Sequence, residues 1–173
     1  MKLSQVCVCL FLFVLLGAGP LDHGNKHIRG KLTGFSEVPS KSTTGHGTFR
    51  AIFDSTAHSV TFTLTYSDLT GPATMSHIHF GQEAVNGGIA VFFCDGTGHP
   101  ACPPGNSGTI TGTFTAADVI TVTGQGINAG DFDKLVEAIA AGKTYANVHT
   151  ALFPGGEIRG QLSIDDDDDD HDH

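Results

Sequence analysis

The residues in this chain best suited to chemistry are two histidines two positions apart, His77 and His79, in the run Met75-Ser-His-Ile-His-Phe-Gly81. The run has strand periodicity, and alternate side chains of a strand share a face. His77 and His79 therefore point one way, with Met75, while Ile78 and Phe80 point the other. Their Cα atoms are expected roughly 6.6 Å apart, a span two imidazoles can close on one metal ion if a neighbouring strand supplies a third ligand. His149 is the candidate for that third ligand: in Tyr145-Ala-Asn-Val-His-Thr150, Ala146 and Val148 take the apolar face and leave Tyr145, Asn147 and His149 on the other. Three imidazoles suit Cu(II) or Zn(II), and the affinity order favours copper, one ion per chain. Ordinary imidazole titration would release it near pH 6. The competing expectation is a row of solvated histidines on the open face of a sheet.

Whatever positions these residues must be built from short strands. His27-Ile-Arg-Gly-Lys-Leu-Thr33 alternates, and its pattern returns at Glu157-Ile-Arg-Gly-Gln-Leu-Ser163, so the two segments are expected to pair where a sheet closes, with Gly30 and Gly160 allowing close backbone approach. Residues 47–54 and 60–66 read as a hairpin: Phe49, Ala51 and Phe53 share one face, and Val60, Phe62, Leu64 and Tyr66 lie opposite Thr61, Thr63 and Thr65. Ile89 to Phe93, Gly108 to Thr115, a short piece at 118–122, and a final hairpin of 145–152 and 157–164 complete the set. One helix is expected at 131–141, with Phe132, Leu135, Val136, Ile139 and Ala140 as its apolar stripe, Asp131 as its cap and Gly142 as its end. The fold class is all-β: an antiparallel sandwich or flattened Greek-key-like barrel of about eight strands with one short amphipathic helix.

The chain has 173 residues, one domain's worth. Lys2, the apolar run Val6 to Leu16 and the small residues Gly17, Ala18 and Gly19 read as a secretory signal peptide over residues 1–20, so the mature protein is expected to be extracellular, with no membrane span once the leader is removed. The β domain then occupies 27–164 and an acidic tail 165–173, expected to be disordered. The tail holds seven of the eighteen acids, leaving eleven against nine bases, so the formal charge of −9 falls to −2 for the rest. Neither part offers the basic surface that nucleic acid needs. In the tail, His171 and His173 among the Asp carboxylates are a second, weaker metal-binding candidate.

Cys7 and Cys9 belong to the leader. Cys94 and Cys102 remain as a pair, and in an exported domain two cysteines point to a disulfide, against a competing zinc site completed by His99. Glu37 and Glu157 stand as isolated acids, Glu37 with a loop backbone to hydrogen-bond. No nucleophile elbow and no phosphate loop is present, and no organic cofactor is called for.

Several stretches resemble the CHRD domain, the repeat of chordin and of many small secreted proteins. They are Leu32-Thr-Gly-Phe-Ser-Glu-Val-Pro39, Ser76-His-Ile-His-Phe-Gly81, the loop from Phe93-Cys94 to Cys102, Gly108-Thr-Ile-Thr-Gly112, Ala116-Ala-Asp-Val119, and Asn147-Val-His-Thr150 through Phe153-Pro-Gly-Gly-Glu-Ile-Arg-Gly-Gln-Leu162. The resemblance runs from Ile28 to Ser163 and implies an all-β extracellular domain with no established reaction. The residues themselves set the expected partners: a metal ion on the histidine face, or, for a matrix or interaction protein without metal, another extracellular protein. A weaker resemblance is to copper,zinc superoxide dismutase, with its His-X-His strand and later Val-His strand. That resemblance implies that His77, His79 and His149 stand where three copper ligands do and that Arg159 plays an anion-guiding part. The spaced zinc ligands of that enzyme have no counterpart here, so it implies at most a copper-only, dismutase-like enzyme.

Overall fold

The computed structural model describes residues 25–95 and 98–165. The leader at 1–20 and tail residues 166–173, with His171 and His173, lie outside the described residues.

Nine strands form one sheet: β1 (Lys26–Thr33), β2 (His46–Asp54), β3 (Ser59–Ser67), β4 (Ala73–Phe80), β5 (Gly88–Cys94), β6 (Gly108–Phe114), β7 (Thr144–Thr150), β8 (Ile158–Gln161) and β9 (Ser163–Asp165). The order is β5-β4-β7-β8-β1-β2-β3-β6, every pairing is antiparallel, and β9 adds to β1. The end strands β5 and β6 approach each other, so the sheet is a nearly closed barrel, the all-β class expected. Phe93 of β5 reaches across the interior to Phe62 of β3 at 4.2 Å and Phe49 of β2 at 5.6 Å between ring centroids.

The alternation of β3 explains its place. Val60, Phe62, Leu64 and Tyr66 are buried in the core, and the threonines opposite face out, where Thr61 and Thr65 bond the hydroxyls of Thr113 and Thr109 on β6 at 3.0 and 3.3 Å. The repeated Ile-Arg-Gly-X-Leu segments do meet. A Cβ on Gly30 would lie 2.7 Å from the Leu162 side chain and 3.0 Å from the Gln161 carbonyl, and one on Gly160 would strike the Lys31 carbonyl, so both glycines are required by close approach.

Five expectations need correction. The last strand is not continuous: β8 pairs with β7, the chain turns at Leu162, whose amide donates to the Thr144 carbonyl at 2.9 Å, and β9 pairs with β1. A strand that serves two partners at a barrel corner breaks between them. Asp165, assigned to the tail, is thus part of β9 and pairs with Arg29 at 2.6 Å. The helix α1 (Phe132–Ala140) buries Phe132, Leu135, Ala138 and Ile139, while Ala140 faces solvent, and Phe132 packs on Phe53 and Phe114. Asp131 makes no side-chain cap. Its carboxylate accepts instead from the Asn128 amide and Lys134, and Gly142 ends the helix at φ +65°. Residues 116–122 form a 3-10 turn and an isolated bridge from Val122 to Ile127 rather than a strand, and the Ile120 amide donates to the Ala90 carbonyl, covering the outer edge of β5.

Candidate metal centre

β4 lies between β5 and β7, and its register on β7 sets Met75 opposite His149, His77 opposite Asn147 and His79 opposite Tyr145. Side-chain alternation then gathers all six on one face. The ring centroids of His77 and His79 are 5.2 Å apart and those of His77 and His149 4.8 Å. One ring nitrogen of each histidine lies within 4.8 Å of the other two. The face is not open: His77 is 1% and His149 6% exposed, and His79 is half-buried, which removes the solvated-row expectation.

Each ring is anchored through its Nδ1. His79 Nδ1 lies 2.9 Å from the Gly87 carbonyl, His149 Nδ1 2.9 Å from the Pro154 carbonyl, and His77 Nδ1 3.2 Å from Asn147 Oδ1. Carbonyl oxygens only accept, so the proton of each neutral ring sits on Nδ1 and the lone pair on Nε2. All three Nε2 atoms are buried without a hydrogen-bond partner, three of the five such side-chain atoms among the described residues. Buried polar atoms are ordinarily paired, and three orphans of the same kind in one histidine cluster are an arrangement that a metal ion could complete.

Electrostatics keep the rings neutral. Burial, with the neighbouring rings of His149 and His79, lowers the pKa of His77 to about 3. Burial, opposed by the Gly87 bond and aided by His149 and Arg159, lowers that of His79 to about 4. Burial lowers that of His149 also. The neutral form of the rings, the one with a free lone pair, is therefore favoured below the ordinary imidazole range.

Around the trio, Tyr145 stacks on His79 at 4.7 Å with planes 5° apart, and the Arg159 guanidinium covers the other face of Tyr145, 3.4 Å from its centroid. The Tyr145 hydroxyl accepts from the Gly87 amide at 3.2 Å, on the same residue whose carbonyl holds His79. Arg159 is 1% exposed and donates to the Gln82 and Val85 carbonyls, each at 3.0 Å, and to Asn86 Oδ1 at 3.4 Å. On the other side, Phe92 meets His77 edge-on at 4.8 Å, and His99 stacks on Phe92 at 4.9 Å. Cys94 and Cys102 form a disulfide, which removes the thiolate zinc reading.

Of the two acids, Glu37 meets a loop backbone at the Val38 amide as expected, while Glu157 departs from expectation. Glu37 is buried, and burial pushes its pKa up to about 7 against the pull of Arg159, the Val38 amide and Lys41; its Oε1 has no partner. Glu157 is not isolated: its carboxylate accepts from the Thr43, Thr70 and Thr150 hydroxyls at 2.6 to 2.7 Å and from the Thr70 amide at 2.9 Å. Among the residues that orient the ligands, Asn147 was legible as sharing their face, whereas the carbonyls of Gly87 and Pro154 are backbone atoms and leave no signal in residue type.

Fold and face together define a small, nearly closed antiparallel barrel with a buried three-histidine cluster on one wall. The chain belongs to the CHRD domain family: the family model matches residues 28–162, from β1 to the corner between β8 and β9. A CHRD domain is a module of the extracellular binding type. No curated protein and no solved structure matches the chain. No helix among the described residues is long and apolar enough to cross a membrane.

Proposed function

We propose that this chain is a secreted CHRD-domain binding module that holds one copper ion on the Nε2 atoms of His77, His79 and His149. The observation that carries the reading is the set of three buried, unpartnered Nε2 atoms whose rings are each fixed through Nδ1. The donor set fits a transition metal. It contains no carboxylate for a hard cation, and among divalent ions the affinity order favours copper over zinc. When bound, copper would supply a Lewis-acidic, redox-capable centre. The protein's own part is to hold three lone pairs in place and keep protons off them. The leader-like residues 1–20 and the Cys94–Cys102 disulfide support export, since disulfides persist in oxidising compartments.

The test is metal analysis of the chain ending at Asp165, which separates the barrel site from His171 and His173. About one copper per chain is expected. His79→Ala should weaken copper uptake strongly, while uptake unchanged by that substitution, or absent in both copper oxidation states, overturns the reading.

A further inference from the structure

The face that carries the three histidines carries two more groups whose chemistry bears on which copper ion it accepts. Met75 occupies the position on β4 directly opposite His149 on β7, two residues before His77 and on the same side of the strand. Directly opposed residues on neighbouring antiparallel strands have Cβ atoms roughly 5 Å apart, within reach of a flexible Met side chain. Its thioether is a soft donor, and soft sulfur donors select Cu(I) among the copper ions. On the far side of the trio, the rings of His79 and Tyr145 and the guanidinium of Arg159 form one stack. That guanidinium is buried and hydrogen-bonded to two backbone carbonyls, so its positive charge is fixed in place. Glu37 and Glu83 lie near Arg159 and offset part of its field, the Asp95 carboxylate adds negative charge near His77, and among the described residues no carboxylate joins the three histidines in the cluster itself.

We infer that the site takes its metal as Cu(I), with the Met75 thioether as fourth donor beside His77, His79 and His149, and with the fixed charge of Arg159 biasing it against the dications Cu(II) and Zn(II). The inference rests on the copper reading and deepens it. A buried, neutral donor set beside a fixed cation penalises a doubly charged ion more than a singly charged one, because both the desolvation cost and the repulsion grow with charge. Four neutral donors, one of them sulfur, are what a monovalent ion of filled d shell accepts without an anionic partner. The ion is delivered already reduced, so binding itself moves no electron.

The experiment uses the full mature chain and measures Cu(I) affinity by competition with a Cu(I)-selective chelator under ascorbate, and Cu(II) and Zn(II) affinities by competition with a polyaminocarboxylate in air. Cu(I) is expected to bind at least a hundredfold more tightly than either dication. X-ray absorption of the Cu(I) form should show one sulfur scatterer that disappears in Met75→Leu, a change of similar volume that keeps the strand intact. Met75→Leu should weaken Cu(I) about tenfold and leave Cu(II) unchanged. Arg159→Gln should narrow the Cu(I) preference and Arg159→Lys should retain it. Tighter binding of Cu(II), or no sulfur scatterer in the wild-type spectrum, overturns the inference while leaving a copper site. Affinities for both copper ions that His79→Ala does not change overturn the copper reading itself.

Discussion

Two buried polar clusters adjoin along β7, and they treat their polar atoms in opposite ways. At Thr150 and just beyond it, the Glu157 carboxylate is 0% exposed, yet both oxygens are fully engaged by three hydroxyls and one amide drawn from three separate segments. Along Tyr145 to His149, three imidazoles are as well anchored on one side, and each leaves its Nε2 buried with no partner. A satisfied buried charge ties loops to a strand and finishes its work in folding. A set of orphaned lone pairs costs the fold stability, and a fold keeps such a cost where a ligand repays it. The difference teaches that burial alone does not mark a site, whereas burial with aligned, unmet valence does.

Acid should separate the two clusters most strongly. The folded pKa values of His77 and His79 lie below that of an unfolded histidine, so the unfolded chain binds protons first, and the stability present above pH 6.5 is lost as pH falls toward 4 and then 3. Burial alone would raise the Glu157 pKa, but the bonds from Thr43, Thr150 and Thr70 outweigh it and hold the pKa below its ordinary 4.5. Its contribution is therefore present above pH 4.5 and is lost only below that. Denaturant melts of the metal-free protein should weaken first between pH 6.5 and 4. A flat midpoint across that window would show that the histidines are not buried as neutral rings. At neutral pH, Glu157→Ala should destabilise the barrel by about 3 kcal/mol, because it strands the Thr70 amide and three hydroxyls, and should leave the copper stoichiometry of the remaining folded protein unchanged.

The sequence makes the histidine cluster legible and hides the glutamate one, for a physical reason. His77, His79 and His149 lie on strands whose period of two fixes which way they point, so two local patterns and one pairing suffice to gather them. The partners of Glu157 come from loops at 43 and 70 and from Thr150 across a turn, and no periodicity encodes loop positions. The same limit explains the remaining misses. The repeat at Ile28 and Ile158 announced the strand meeting, but the break at Leu162 depends on a barrel corner that only the closed sheet imposes. The stripe of α1 was read from spacing, which does not show that Ala138 is buried in place of Ala140 or that Phe132 packs on Phe53 and Phe114.

The ligand side of the comparison is sharpened by His79→Ala, which should weaken copper binding about a hundredfold or more, while changing the stability of the metal-free chain by about 1 kcal/mol. Titration with parallel melts reads both quantities. Equal losses of stability and affinity would place His79 with Glu157 as a structural residue.

The smallest effect tests the anchors. Asn147 does not present a ligand to the cluster; its Oδ1 holds the His77 Nδ1 proton and thereby leaves the lone pair on Nε2. In Asn147→Ala the ring is free to carry its proton on either nitrogen and to rotate, so binding must first restore the right tautomer. Copper affinity should fall about tenfold, the lower end of what outer partners of metal-bound histidines contribute, with the stoichiometry unchanged at saturating copper. His58→Ala is the matched control: His58 lies exposed in the β2–β3 turn, and its loss should leave copper affinity where it was. Equal affinities for Asn147→Ala and wild-type protein would mean that the His77 ring is held by Phe92 packing rather than by its hydrogen bond. The contrast between anchored rings and free lone pairs would then hold for His79 and His149 alone, whose anchors are backbone carbonyls that no substitution removes.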